Sequence, residues 1–221
     1  MHPMTSRLRG RCCGDSGSIV AESAIILPVV LAFLAGVIDM GVAFRDRIQI
    51  ENALRAAARI GAAGQNTYST DQLILTSLNA SMVGIKNADV TRIVVYETGA
   101  GGQPASTCKT TAVPGTVTNR AGSSTSGSAC NIYSKAQMAG AGNNNAWFTA
   151  STATSCSTTT IDSNWCPLDR VISLTATGSG GTGPDYLGIW MTVDYTPYTR
   201  FWGTKFTITD YVVVRLEPSA V

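Results

Sequence analysis

Few residues in this chain are suited to chemistry: one histidine, His2, six cysteines, and Glu22, a carboxylate set at the mouth of an apolar run. Acid–base or nucleophilic catalysis needs a base that titrates near neutral pH, and beyond His2 the 221 residues contain no histidine. Asp162 and Asp169 offer paired carboxylates, but nothing in their spacing singles them out. No glycine-rich phosphate loop follows a strand signal. The expectation is a protein that is not an enzyme and carries no cofactor. Glu22 is of another kind. It stands in Gly17-Ser18-Ile19-Val20-Ala21-Glu22, between an arginine-bearing leader and a greasy stretch at 25–38. A carboxylate carried to the bilayer centre costs about 3 kcal/mol, so its presence there implies a task, and assembly fits better than catalysis.

The elements around Glu22 define a membrane segment. Residues 19–44 are mostly apolar, interrupted late by Asp39, and exceed the ~20 positions needed to cross the hydrocarbon. Later apolar runs such as Tyr211-Val212-Val213-Val214 have strand length, so one pass is expected and the remainder is water-soluble. Of 16 basic and 14 acidic side chains, the leader holds Arg7, Arg9 and Arg11 against Asp15 alone. Positive charge flanking a span stays cytoplasmic, which places the N-terminus inside and the C-terminal part outside. A formal charge of +2 with no later basic run excludes a nucleic-acid surface.

The cysteines divide at the same point. Cys12 and Cys13 lie in the leader, whereas Cys108, Cys130, Cys156 and Cys166 lie in the exterior part. Four cysteines in an oxidising compartment make two disulfides, with three possible pairings; Cys108 with Cys130 and Cys156 with Cys166 is the favoured one. A zinc site is the rival, but no C-x-x-C spacing exists and His2 is in the leader; no metal is expected.

A secretory signal would have a shorter apolar core of ~7 to 15 residues followed by cleavage, and Gly41-Val42-Ala43 is a passable site. The apolar segment is long, however, an acid opens it, and a helical pattern continues beyond it without a break. A lipoprotein would carry its cysteine after the apolar segment, not before it as Cys12 and Cys13 are. The remaining option is cleavage on the cytoplasmic side, before the helix.

Gly17 with Glu22 five positions on, a basic leader and a retained apolar helix resemble the prepilin processing site of type IV pilins. Three stretches narrow the resemblance: Val20-Ala21-Glu22-Ser23-Ala24-Ile25-Ile26-Leu27-Pro28, Gly36-Val37-Ile38-Asp39-Met40-Gly41, and Gln49-Ile50-Glu51-Asn52-Ala53-Leu54-Arg55-Ala56-Ala57-Ala58-Arg59. Over residues 17–63 they look like the TadE family of minor pseudopilins from tight-adherence pilus systems. Ser23 stands where that family usually has an aromatic residue. The resemblance implies a prepilin peptidase that cuts after Gly17 and frees an amino group on Ser18. It also implies that Glu22 of one subunit meets that amine on its neighbour, with Pro28, Gly36 and Asp39 as further helix-assembly residues. The partners it implies are other pilin or pseudopilin subunits and an inner-membrane assembly platform, with no nucleic acid and no small-molecule substrate. The other reading is a membrane-tethered adhesin or ligand-binding ectodomain.

The resemblance and the pattern together divide the chain into a leader at 1–17, a transmembrane helix at 18–44, an amphipathic continuation at 45–64 and an exterior domain at 65–221. Pro28 removes a backbone donor and should kink the helix. Ala32, Gly36 and Gly41 form a small-residue strip that would admit a second helix, or simply face lipid. Arg47, Glu51, Arg55 and Arg59 recur every fourth residue as a solvated stripe with Arg47–Glu51 and Glu51–Arg55 pairs, while Ile50, Ala53, Leu54, Ala57 and Gly61 line the packing face. Gly61 and Gly64 should end it.

In the exterior part, Ser69-Thr70-Asp71-Gln72 has capping-box spacing and opens a short helix to Met82 with Leu73, Ile74, Leu78 and Met82 on one side. Strands are expected at 90–97, 171–177, 187–195 and 206–216, the last two joined by a hairpin through 196–205. The fold class is therefore α+β: a long helix packed on an antiparallel sheet of three or four strands, pilin-like. Between 98 and 165 the composition turns to Gly, Ser, Thr, Ala and Asn, which predicts a surface excursion pinned by disulfides and more inert than binding. Trp147, Trp165, Trp190 and Trp202 are expected in the core, not on a sugar platform.

Overall fold

Alanine, leucine and isoleucine dominate 16–64, and the segment forms one helix, α1, Ser16–Gly64, of 49 residues, about 74 Å long at ~1.5 Å per residue. The computed structural model describes residues 16–99, 102–178, 181–199 and 203–218. His2, Arg7, Arg9, Arg11, Cys12, Cys13, Asp15 and Trp202 lie outside the described residues, as do the side chains of Gly17 and Ser18. The helix runs on through Pro28. Gly61 lies inside it, and the residue that closes it is Gln65, in the left-handed region at φ 52°. The last carbonyls are capped by hydroxyls: Thr67 Oγ1 and Thr70 Oγ1 both donate to the Gly64 oxygen.

The two halves of α1 differ in what they touch. From 20 to 38 every side chain is exposed except those at Ala32, Ala35 and Gly36. From Ile50 onward a stripe at Ile50, Ala53, Leu54, Ala57, Ala58 and Ala62 is buried, the i, i+3, i+4, i+7 spacing of a face packed on a core. Burial of Ile50 and Leu54 contributes about 2 kcal/mol each. Arg47, Arg55 and Arg59 lie exposed on the opposite side. Of the two expected ion pairs, Glu51–Arg55 is formed; among the described residues none joins Arg47 to Glu51.

Helix α2, Thr70–Met82, packs on α1 through Ile74, Leu75, Leu78 and Met82. Leu73, expected on this face, is exposed, because Asp71, Ile74, Leu75 and Leu78 already complete the helical repeat. The capping box at Ser69 is not made. The Gln72 amide donates instead to the Ala141 carbonyl and Asn145 Oδ1, a tertiary contact that overrides the local one.

Five antiparallel strands form the main sheet, in the order β2-β3-β1-β6-β7. Its members are β1 Ala88–Thr98, β2 Ala121–Ser123, β3 Cys130–Tyr133, β6 Tyr186–Tyr195 and β7 Phe206–Arg215. The remaining elements are α3 Ser106–Thr110, α4 Lys135–Gly140 and the two-residue strands β4 Thr177–Gly178 and β5 Gly181–Thr182, which form a separate small hairpin. A bulge between Val90 and Arg92 resets the alternation, so that Val90 and Ile93, three apart, both enter the core.

Alternation sorts the sheet into two faces. Ile93, Val95, Leu187, Ile189, Met191, Val193 and Ile208 point to α1 and α2, and Val94, Tyr96, Ile132 and Trp190 form a second cluster on the other side with the Cys108–Cys130 disulfide. Gly188 lies under the Tyr96 ring, where a Cβ would fall inside the ring's van der Waals envelope. Tyr96 is held there by its hydroxyl bond to the Gly102 carbonyl.

Two expectations need correction. The stretch 171–177 is not a strand: the Val171 amide donates to the Asp185 carboxylate and its carbonyl accepts from the Asp185 amide, which takes this backbone out of any ladder. The excursion at 98–165 is not a mere surface loop. It supplies β2 and β3, which raise the strand count above the expected three or four, and it buries Phe148, Ile161 and Trp165. Its few apolar residues suffice because β3 is buried on both faces. Trp165 and Trp190 are core residues and Trp147 is half-buried.

Candidate functional site

The residues singled out for assembly lie along the N-terminal half of α1. Gly17 and Ser18 fall in its first turn. Glu22 is exposed, one turn beyond Ser18, and has no ion-pair partner among the described residues. Pro28 is exposed and Gly36 is buried. With no Cβ clash and nothing within 4 Å, Gly41 faces open space. The strip Ala32, Gly36, Gly41 is therefore not one continuous free face.

Asp39 does not project outward. It is 4% exposed, and its carboxylate accepts from the Thr199 amide at 3.1 and 3.2 Å and from the Thr199 hydroxyl. Thr199 belongs to the connection between β6 and β7, so Asp39 fastens α1 to the end of the sheet. Seven residues on, on the same face of the helix, Asp46 is buried beside Arg45, whose Nε and Nη2 donate to its Oδ1 at 3.1 and 2.9 Å. Packing of the C-terminal part on α1 thus begins at 36–39, ahead of position 45.

A second polar cluster, missed in the sequence, joins α2 to the 98–165 segment. Arg170 Nη2 meets Asp71 Oδ1 at 2.5 Å with both side chains fully buried. Asp71 Oδ2 accepts from the Tyr133 hydroxyl at 2.6 Å and from Asn131 Nδ2 at 2.8 Å. Asn131 also clasps the Trp165 backbone, donating to its carbonyl and accepting from its amide at 2.9 Å each. The guanidinium lies 4.1 Å over the Trp165 ring. Burial, with the negative charges of Asp71 and Asp162, pushes the Tyr133 hydroxyl well above the ordinary tyrosine range. Asp162, which accepts from the Thr149 amide and hydroxyl, is raised by burial first and by Asp71 second. Asp71 and Arg170 neutralise each other and Asp162 is held by Thr149, which makes the cluster a fastener.

Asp162 and Asp169 do not converge. Asp162 is buried against Thr149, whereas Asp169 lines a cavity of about 550 Å³ with Glu97, Asn164, Trp165 and Asp185. Among the described residues no group of three or more His, Cys, Asp or Glu side chains is placed to hold a metal ion. The four exterior cysteines are joined as Cys108–Cys130 and Cys156–Cys166. The first ties α3 to β3, and the second closes the loop that carries Asp162.

What sets α1 apart is an apolar rod at 20–38 that is mostly uncovered by the other described residues. Its most apolar window has mean hydropathy 2.5 and is 11% buried, which makes it long and apolar enough to cross a membrane. Residues 17–59 match the TadE-like protein family. The match runs from the first turn of α1 to five residues short of its end, and it points to a component related to tight-adherence pili. No curated protein and no solved structure matches the chain.

Proposed function

We propose that the chain is a minor pseudopilin, a non-enzymatic subunit needed to assemble a tight-adherence type IV pilus or a related secretion system at the inner membrane. The observation that carries this reading is the free rod at 20–38, within the stretch that matches the TadE-like family. Nineteen helical residues span about 28 Å at ~1.5 Å per residue, the depth of a bilayer's hydrocarbon. Cleavage after Gly17 would leave the Ser18 amine at one end of that rod, a turn from Glu22. The cytoplasmic leader arginines set the orientation with the exterior domain outside, where the disulfides persist.

In the membrane, Glu22 of one subunit neutralises the terminal amine of its neighbour. Both charges are costly alone in a weakly screened layer, so their pairing fixes the axial stagger of adjacent helices. The prepilin peptidase, other pilin or pseudopilin subunits and the assembly platform are the partners. Intact-mass measurement of membrane-extracted protein tests the first step: a chain that begins at Ser18 is expected, and one that keeps Arg7 to Gly17 refutes it. Glu22→Ala should leave the protein in the membrane and abolish piliation; normal pili in that variant would end the assembly role.

A further inference from the structure

Where α1 leaves the proposed hydrocarbon layer, the exterior domain is cut back into a groove. Two adjoining hollows of about 370 and 230 Å³ lie between the helix and the start of β7. Met40, Ala43, Phe44, Pro197 and Phe206 give them apolar walls, and Arg47 closes the far end. Met40 is 68%, Phe44 67% and Phe206 43% exposed, so the apolar surface of the rod continues past Asp39 as one wall of the groove. We propose that this groove seats an anionic phospholipid of the outer leaflet, with the glycerol end of its acyl chains against Met40, Phe44 and Phe206 and its phosphate on Arg47. The inference rests on the membrane reading of α1.

Height along the helix selects this occupant. With Val20 at one edge of a hydrocarbon layer ~30 Å thick, Asp39 reaches the other edge, and Met40 to Arg47 rise through the next ~10 Å, the headgroup layer and its margin. Helical side chains lean toward the N-terminus, here toward the bilayer, and a long arginine reaches several ångströms that way while its stem stays on apolar surface. Charge agrees with position. Arg45 is taken by Asp46 and Lys205 by Asp194, whereas Arg47 is exposed and has no acidic partner among the described residues. Asp39 borders the smaller hollow, but its carboxylate oxygens are turned to Thr199. Tyr198, 60% exposed beside Pro197, adds an aromatic side chain of the kind that concentrates at membrane interfaces. A helix about 10 Å across is too wide for hollows of this size, whereas a flexible acyl chain is not.

The test uses the full chain in nanodiscs of phosphatidylcholine with one part in five phosphatidylglycerol, ejected into a native mass spectrometer so that retained lipids are counted by class. Wild type should hold phosphatidylglycerol in preference to phosphatidylcholine by about fivefold, the weight of one basic side chain near an anionic surface. Arg47→Gln, an exposed change that leaves the fold intact, should erase the preference. Ala43→Phe, which fills the hollow, should lower retention of both lipids. Arg59→Gln, three turns farther from the bilayer, should change neither. Equal retention of the two lipids by wild type, or an undiminished preference in Arg47→Gln, would overturn the proposal. So would Phe44→Cys crosslinking efficiently between two copies without retained lipid, since the groove would then hold protein. If any of these occurs while the chain resists carbonate extraction from membranes and begins at Ser18, the lipid site falls and the pseudopilin reading stands.

Discussion

Asp71→Asn should be among the most damaging single changes in the exterior domain, although it alters no shape. The carboxylate it removes is the only charged partner of Arg170 among the described residues, and both side chains are fully buried. Arg170 Nε and Nη1 already lack hydrogen-bond partners, and the variant side chain keeps one neutral acceptor oxygen for three donors, Arg170 Nη2, the Tyr133 hydroxyl and Asn131 Nδ2. A guanidinium stays protonated, so the variant keeps an uncompensated cation in the core, which costs about 3–5 kcal/mol. At roughly 2–4 °C per kcal/mol for a domain of this size, the midpoint should fall by about 6 to 20 °C. Arg170→Met should cost less, about 2–3 kcal/mol. The unbranched thioether fills the space over Trp165, the carboxylate keeps its bonds from Tyr133 and Asn131, and a lone carboxyl can take a proton. The assay is thermal unfolding of the full chain in detergent, followed by near-ultraviolet dichroism and tryptophan fluorescence. A loss below about 1 kcal/mol for Asp71→Asn, or a larger loss for Arg170→Met than for Asp71→Asn, would refute the view that the anion is there to satisfy the cation.

Three further outcomes follow from the same packing. Gly188→Ala should destabilise by about 2 kcal/mol or more in chemical denaturation, because its methyl group overlaps the buried Tyr96 ring. Asp162→Asn should gain on wild type as pH rises: with the Asp162 carboxyl raised by burial and by Asp71, its contribution is full below the ordinary carboxylate range and is lost as pH climbs through the raised value. Melting temperatures of both proteins at pH 4 and pH 7 check this, and a constant gap between them would contradict it. Replacing Cys108 and Cys130 with alanine, a pair 22 residues apart, should cost about 3.4 kcal/mol, and replacing Cys156 and Cys166, 10 apart, about 2.8 kcal/mol, read as urea midpoints.

Long-period signals in the chain were readable and pairwise ones were not. The helix at Ser16–Gly64 and strands β1, β6 and β7 announce themselves through apolar spacing and β-branched runs, and all lie within a few residues of expectation. Strand β3 does not. Cys130-Asn131-Ile132-Tyr133 is buried on both faces, so it lacks the alternation that marks a half-exposed strand, and glycine- and serine-rich sequence surrounds it. The cue was there in Ile132-Tyr133 beside a disulfide cysteine. Capping boxes show the limit of local spacing: Ser69 and Gln72 fit the pattern and fail, while Ser134 and Gln137 form one. Only the tertiary contacts of Gln72 tell them apart. The Asp71 cluster was illegible for a plainer reason, since its bonds join residues 60, 62 and 99 positions apart.

Asp39 stands with Glu22, Pro28 and Gly36 among the residues expected to serve helix assembly. Its oxygens instead take the Thr199 amide and hydroxyl, bonds to a charged acceptor that contribute about 1.5–3 kcal/mol each. The two acids therefore divide the labour on the membrane reading. Glu22 has no ion-pair partner among the described residues and, on that reading, finds one on a neighbour, whereas Asp39 is answered internally and holds the sheet against the helix at one height. That height matters because α1 has no loop between its free and its packed halves. Any axial stagger imposed at Glu22 is transmitted rigidly along the helix, and the Asp39 clasp passes it to β6 and β7 without slack. On the proposed reading, a subunit built this way would set the spacing of its C-terminal domains by a charge pair inside the membrane.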